Sequence, residues 1–599
     1  MSTRTTYWRS LANCAATCDS LDGCVRAVQS AIDDVADHLE SSSRRSACPH
    51  RLDQEKFVEV VRERKGRPPR DPCLPSALAL HSKRKGTHNK RTLLKMIDPP
   101  LWGSVPPVEL SIGGVVSADR YAWAAELRRV AEAKFSSSAD DQSRLQHKVE
   151  HRRGVATSEK HDRLSRPPSL DDFVKMLTSL STNSSPGPDG ILPKAWKLAP
   201  VWLKLRIFHI FRRRWFDVTW HEQAPDTWGE HVVRGIMENR SAVTLDDFRW
   251  IGLMDHLFKL YDAWSLASVP TTMPRRLKSF AFGYQRNQSV EDMLALLFEL
   301  VCYALRRKGA DLAIYCMDVL TAYDSVRFLD VVDVYLSKGA TYSQVLNMIR
   351  NMLGSQVTLD IPGVAQHGPI NQTRALRTGG KTDPEKFVMM MDEAMSKCAL
   401  EWDTMAYGFR LLDSGRQLIE ASWVDNVFLL ARSWAEADFM TPMLTDVLAN
   451  HFGWKWKPKS LEILAVGLTP LRASRVVRSS TAALTFAVKD RIEVLGGVFA
   501  NDRPQQALLE YRLVKADKSF YGHLKHFRGN APVSIKLQVF SSVPRSIASF
   551  LLRFMPCKAC TLKDICTWER KQFRTLFLHA AEPEPNQKRV SERDSFEDM

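Results

Sequence analysis

The sequence predicts an α+β protein of several domains, and three observations carry that reading. A chain of 599 residues is too long for a single hydrophobic core. From about residue 168 to 465, amphipathic helical runs alternate with short apolar β-type runs. Two of those runs, "DLAIYCMDVL" and "SWVDNVFLLA", end or turn on an aspartate, Asp318 and Asp425. A carboxylate at an apolar crossing is costly unless it is paired or binds a cation.

Taken in order, residues 1–165 read as a basic N-terminal extension, partly helical or disordered. It holds the basic stretch "HSKRKGTHNKR", the helix-like "RYAWAAELRRVAEAKF", and a linker-like stretch, "FSSSADDQSR" followed by "HKVEHRRG". "VWLKLRIFHIFRRRWF" has helical spacing, "DLAIYCMDVL" is a strand, and "FLDVVDVYLSKG" is a helix closed by glycine. "DPEKFVMMMDEAMSKCALEW" predicts a helix capped by Asp383, with Pro384 in its first turn. Its Phe387, Met391, Met395 and Cys398 share one face and read as core. "RIEVLGGVF" is a further strand, helix-like segments follow to about 580, and residues 581–599 form an acidic, proline-containing tail expected to be disordered.

The composition, 44% hydrophobic and 25% charged, is that of a soluble globular protein. The net charge of +16 suits a polyanionic partner, nucleic acid ahead of an anionic membrane, although a large protein can be basic without one. The N-terminus has no signal-peptide core, and the apolar run "MLALLFELVCYAL" is broken by Glu299, so an amphipathic helix is expected rather than a membrane span. Eleven scattered cysteines fit reduced thiols in an intracellular compartment. Neither Cys14, Cys18 and Cys24 with Cys48 and His50, nor Cys557, Cys560 and Cys566, matches a compact tetrahedral pattern, so no zinc site is expected.

Asp318 and Asp425 gain meaning as a pair. Two aspartates at the ends of adjacent strands can hold two divalent ions, and two Mg²⁺ ions about 3.5–4 Å apart stabilise the attacking and leaving oxygens of a phosphoryl displacement. Either aspartate alone is commonly a turn former.

"MDVLTAYDSV" resembles the first palm motif of reverse transcriptases, and "WVDN" stands where their Tyr-x-Asp-Asp hairpin belongs. "NSSPGPDGILPKAW", "LDDFRWIGLMDHLFKLYDAW" and "FGYQRNQSVEDMLALL" resemble, in the family's order, upstream blocks of LINE-type (non-LTR) retrotransposon polymerases. "LRTGGKTDPEKF" resembles their Arg-Gln-Gly motif, and "GWKWKPKSLEIL" sits at the fourth palm motif. The resemblance covers roughly residues 180–500.

It implies a right-hand polymerase fold: fingers over 166–300, a palm with an antiparallel sheet over 301–465, and a helical thumb over 466–580. It implies that Asp318 and Asp425, with the Val319 carbonyl, hold two Mg²⁺ ions, for which Mn²⁺ could substitute. Asn426 would complete the hairpin, and Lys459 would face the leaving pyrophosphate. Arg249 and Arg377 would meet the nucleotide, with the ring of Tyr323 under its sugar and Gly379 and Gly380 allowing close backbone approach. The implied partners are an RNA template, a DNA primer and deoxynucleoside triphosphates, with no membrane. The implied site of action is the nucleus ahead of the cytoplasm.

The chain departs from the family pattern at several of these positions. Trp423 replaces the hairpin tyrosine, Asn426 the second aspartate, Thr378 the glutamine of the glycine motif, and Trp250 the proline after the fingers arginine. The fingers lysine is missing, with Glu238 and Asn239 in its region. Asparagine can coordinate a cation but brings no charge, so metal binding weakens. The functional reading is therefore an RNA-directed DNA polymerase; the alternative is an inactive reverse-transcriptase-like protein that only binds nucleic acid.

Overall fold

The structure, a computed structural model, describes residues 3–43, 110–158, 167–267 and 281–578, apart from short stretches within them such as 238–243, 412–416 and 553–558. The basic stretch at 81–91, Cys48, His50, Cys557 and the tail 581–599 lie outside the described residues.

The chain is a mixed α/β protein built on two main sheets. Helices Thr3–Asn13 and Leu21–Ser43 pack together. They share a core with helices Leu170–Ser179, Val201–Phe216 and His256–Leu266. Within it the Phe211 and Tyr261 rings meet edge to face at 4.9 Å, alongside Trp228 and Trp264. Cys18 and Cys24 are buried in this core, where the Cys24 thiol donates to the Cys18 carbonyl at 3.6 Å.

After a small pair, β1 (Leu110–Ile112) and β2 (Val115–Ser117), come helices Arg120–Phe135 and Ala139–Ser158. The second replaces the linker expected from low complexity. Leu145 and Val149, one turn apart, are buried against the central core, and Lys148 pairs with Asp333.

The first sheet holds β3 (Glu230–Met237) and β4 (Phe248–Leu253). The central sheet starts with β5 (Leu312–Asp318), fed by helix Val290–Arg306, whose Ser289 and Asp292 form a capping box. The chain then returns to the first sheet with β6 (Ser355–Ile361), β7 (Ala365–Gln366) and β8 (Ile370–Gln372). Strand β6 pairs parallel with β3, so the expected division at 300, with 301–465 as one unit, does not follow the sheets. Helix Arg120–Phe135 covers this sheet with Trp123, Leu127, Ala131 and Phe135, so it belongs to the folded body and not to an extension.

Helix Asp383–Thr404 buries Phe387, Met391, Met395 and Cys398 as expected. Its cap position is Thr382, which makes no side-chain cap hydrogen bond, and the Asp383 carboxylate meets Lys386 Nζ at 2.8 Å. The pair β9 (Phe409–Arg410) and β10 (Gln417–Leu418) precedes β11 (Glu420–Trp423) and β12 (Asn426–Ala431). β13 (Glu462–Val466), β14 (Ser474–Arg478) and β15 (Ala483–Lys489) complete the central sheet, in the order β11-β12-β5-β13-β15-β14. It is not wholly antiparallel, because β15 runs parallel to β13 with β14 on the edge. Beyond the expected boundary at 465 the chain also forms β16 (Arg491–Val494) and β17 (Gly497–Ala500), and the helical region starts only at Pro504.

The unbroken apolar run of β5 is explained by burial on both faces. Ala313, Tyr315 and Met317 point into the core with helix Asp383–Thr404, while Leu312, Ile314 and Cys316 meet helix Val290–Arg306. β12 divides in the same way, with Val427 and Leu429 on one side and Phe428 and Leu430 on the other. No helix among the described residues is long and apolar enough to cross a membrane.

Candidate active site

The end of β5 and the turn before β12 bring the two aspartates together. These strands pair antiparallel, and the register sets Asn426 opposite Asp318. Asp425 occupies the two-residue turn between β11 and β12, and its carbonyl accepts from the Val319 amide at 3.1 Å. The carboxyls of Asp318 and Asp425 are near enough for each to perturb the other.

Burial, then the neighbouring charge of Asp425, pushes the Asp318 carboxyl up to about 6, while Lys457 pulls it the other way. Burial also raises Asp425, opposed by hydrogen bonds that include one from Asn426 Nδ2 to Asp425 Oδ1 at 3.2 Å. Two half-buried carboxylates side by side repel when both are ionised. Asp318 Oδ1 is buried and meets no ordinary donor among the described residues. Such an oxygen, with a second carboxylate beside it, fits a hard cation. No group of three or more His, Cys, Asp or Glu suited to a metal occurs among the described residues, so the protein ligands would be these two carboxylates and a backbone carbonyl such as that of Val319.

The lysine that faces the dyad is Lys457. Its Nζ lies 3.6 Å from Asp318 Oδ2, and its amide donates to the Asp318 carbonyl at 2.8 Å. The isolated bridge between Val319 and Trp456 sets that register. Lys459 is exposed two residues later, in the short 3₁₀ turn Pro458–Ser460. Ser460 Oγ accepts from the Asp318 amide at 3.1 Å.

Tyr323 lies five residues beyond Asp318. Its ring leans on Phe387 at 5.7 Å, and Phe387 stacks on Trp454 at 4.7 Å. Burial, then the neighbouring Tyr284 and Asp425, raises its hydroxyl. The ring lines a cavity of about 220 Å³ together with Trp250, Thr321, Thr378, Lys134 and Asp324. Arg249 sits on β4 opposite Ile236, beside the cavity residue Trp250; its side chain is not among the described groups.

Three residues expected at the nucleotide have protein partners instead. Arg377 is buried, with Nη2 donating to the Asn351 carbonyl at 2.7 Å and to Ser355 Oγ, and with its guanidinium 4.7 Å above Phe258. Gly379 has φ +91, and a Cβ there would lie 2.6 Å from the Gly252 carbonyl. A Cβ on Gly380 would strike the Asp383 carboxylate. These glycines let the 378–380 turn seat against β4 and the start of helix Asp383–Thr404.

Sequence reasoning missed Lys457, Lys134, Asp324 and Gly252. "GWKWKPK" offers three lysines, and only the strand register selects among them. Lys134 and Asp324 meet across 190 residues of chain and leave no local pattern.

No protein-family model matches the chain, and no curated protein matches it. Among solved structures it is similar to apo telomerase from Candida tropicalis truncated from its C-terminal domain, at 8% identity and a TM-score of 0.33. The match covers 46% of this chain and spans about half (54%) of that one. The likeness is distant.

Proposed function

We propose that this chain is an RNA-directed DNA polymerase of the non-LTR retrotransposon type, transferring deoxynucleotides to a primer 3′-hydroxyl. The observation that supports it is Asp318 at the end of β5 beside Asp425 in the turn that leads into the neighbouring strand β12. In the reaction the 3′-hydroxyl attacks the nucleotide α-phosphate and pyrophosphate leaves, so positioning and charge neutralisation do most of the work. Bound Mg²⁺ would supply the positive charge at the reacting phosphate. Asp318, Asp425 and the Val319 carbonyl would hold it. Lys457, already at Asp318, would offer an ammonium to the phosphates. Tyr323 would bound the sugar side of the nucleotide cavity. Primer extension on an RNA template with Mg²⁺ and deoxynucleotides tests the proposal. Incorporation by the wild type that disappears in Asp425→Ala supports it; equally little incorporation by both removes it.

A second reading, an inactive fold that retains nucleic-acid binding, is favoured by one observation. At the hairpin position of the second carboxylate, Asn426 donates its amide to Asp425 Oδ1 at 3.2 Å, which occupies one oxygen of that carboxylate and brings no charge. This reading expects the basic chain, with net charge +16, to bind RNA or DNA with affinity that falls steeply with salt. Asn426→Asp together with Thr378→Gln separates the two: a working enzyme changes modestly, and a silent one revives or stays silent.

A further inference from the structure

The turn that carries Tyr323 is strained and held from two sides. Thr321 has φ +46, a left-handed conformation that a β-branched residue adopts only when its surroundings enforce it. On one side residues 374–376 hold the turn. Arg374 Nε donates to the Asp324 carbonyl at 3.2 Å, and the Leu376 amide donates to the Tyr323 carbonyl at 2.9 Å. On the other side the tie is a side chain from far away in sequence. Lys134 Nζ lies 3.1 Å from Asp324 Oδ2, with the two side chains 32% and 20% exposed.

Lys134 is on the last turn of helix Arg120–Phe135, and that end of the helix is itself pinned. The Phe135 carbonyl accepts from the amides of Thr373 and Arg374 at 2.9 and 3.1 Å, and the Ser137 amide donates to Thr373 Oγ1 at 2.7 Å. Lys134, Phe135, Tyr323 and Asp324 all line the 220 Å³ cavity. The volume is below the roughly 300–1,000 Å³ of a typical small-molecule site, so the cavity has room for only part of a ligand.

We infer that the Lys134–Asp324 ion pair is a positioning device that sets the height of the Tyr323 ring and so the discrimination between deoxyribose and ribose. The inference rests on the nucleotide reading above and names a specificity element for it, supplied by a helix upstream of the polymerase-like blocks. The pair does not touch the sugar; it acts through the 321–324 turn. When it is broken, the strained turn relaxes, Tyr323 loses its fixed position, and the clash with a 2′-hydroxyl softens.

The test is isothermal titration of the full chain with dATP and with ATP, each in Mg²⁺. Wild type is expected to bind dATP more tightly than ATP. Lys134→Ala and Asp324→Ala should each lower the preference by about two- to fivefold, the range of a partly exposed pair. The reversed pair, Lys134→Asp with Asp324→Lys, should regain most of it, which a mere packing role would not do. Arg129→Ala, which breaks an exposed pair with Glu126 on the same helix, should leave the preference unchanged, and thermal melts check that each variant folds. An unchanged preference in both single variants, with Tyr323→Ala abolishing it, overturns the positioning role and leaves the nucleotide reading intact. Equal loss of both nucleotides in Lys134→Ala alone also overturns it, since Lys134 would then contact phosphate directly. A wild type that binds neither nucleotide removes the nucleotide reading and this inference with it.

Discussion

Replacing Asp318 by Asn should make the metal-free protein more stable at neutral pH, an unusual outcome for a half-buried polar residue. The Asp318 carboxyl is raised from its ordinary 3.8 to about 6, by burial first and by Asp425 second. A rise of that size corresponds to about 3 kcal/mol at 1.36 kcal/mol per pH unit. The side chain is 22% exposed and Lys457 lies 3.6 Å away, so solvent and the ammonium screen the repulsion and about 1–2 kcal/mol remains. The sign follows from linkage. A folded-state value above the unfolded one favours folding most below about pH 4, and this advantage is lost as pH rises through about 6. Wild type and Asp318→Asn should therefore have similar unfolding midpoints near pH 4 and diverge towards pH 8, with the variant about 1–2 kcal/mol more stable. Millimolar Mg²⁺ should then raise the wild-type midpoint and close the gap, because a ligand that binds only the folded state stabilises it. Urea melts from about pH 4 to about pH 8, with and without Mg²⁺, measure all of this. If the two curves run parallel across pH, the carboxyls do not confront each other and the metal-site reasoning fails.

Three further outcomes follow from the same geometry. Lys457→Ala removes an ammonium beside Asp318 and should tighten Mg²⁺ binding by about two- to fivefold, discounted for exposure, whereas Lys459→Ala should leave it unchanged; calorimetric titration with Mg²⁺ distinguishes them. Gly252→Ala drives a Cβ into the Thr378 carbonyl and His231 Nε2, which should cost about 3 kcal/mol in a denaturant melt because backbone must shift. His231 is buried, and burial depresses its imidazole to about 3. Its contribution is present above about pH 6.5 and is lost as pH falls towards 3, so His231→Gln should flatten that acid limb of the stability profile.

Local sequence carried the local structure well. The apolar run of β5 and its closing aspartate could be read because both faces are buried, and the helix beginning near Asp383 could be read from its apolar stripe. Pairing between distant segments leaves no such trace. Strand β6 joins β3 across more than a hundred residues, and nothing in the period of either strand names its partner. Arg377 shows the same limit at the level of a site. Its motif suggested a nucleotide contact, but burial against Phe258 and the end of helix Tyr342–Met352 is a tertiary property. The helix at Ala139–Ser158 was hidden by the serine run before it and by its own charges, and the buried Leu145 and Val149, one turn apart, are its clearest apolar signal.

The hairpin that presents Asp425 bears on how much Asn426 matters. Val424 has φ +59 in a two-residue turn whose first position favours glycine. A β-branched residue there costs about 1–3 kcal/mol, so other contacts must hold the turn in place. They are identifiable. Gly283 has no room for a Cβ, which would lie 2.8 Å from the Val424 amide nitrogen. The Phe282 amide donates to the Ser422 carbonyl at 2.9 Å, and the Asp425 carbonyl is tied to Val319. A tip fixed by its backbone in this way keeps Asp425 beside Asp318 whichever side chain follows it. Asn426 therefore subtracts a charge without moving the dyad. The enzymatic and the binding-only readings thus differ by one carboxylate's worth of metal affinity and share one fold.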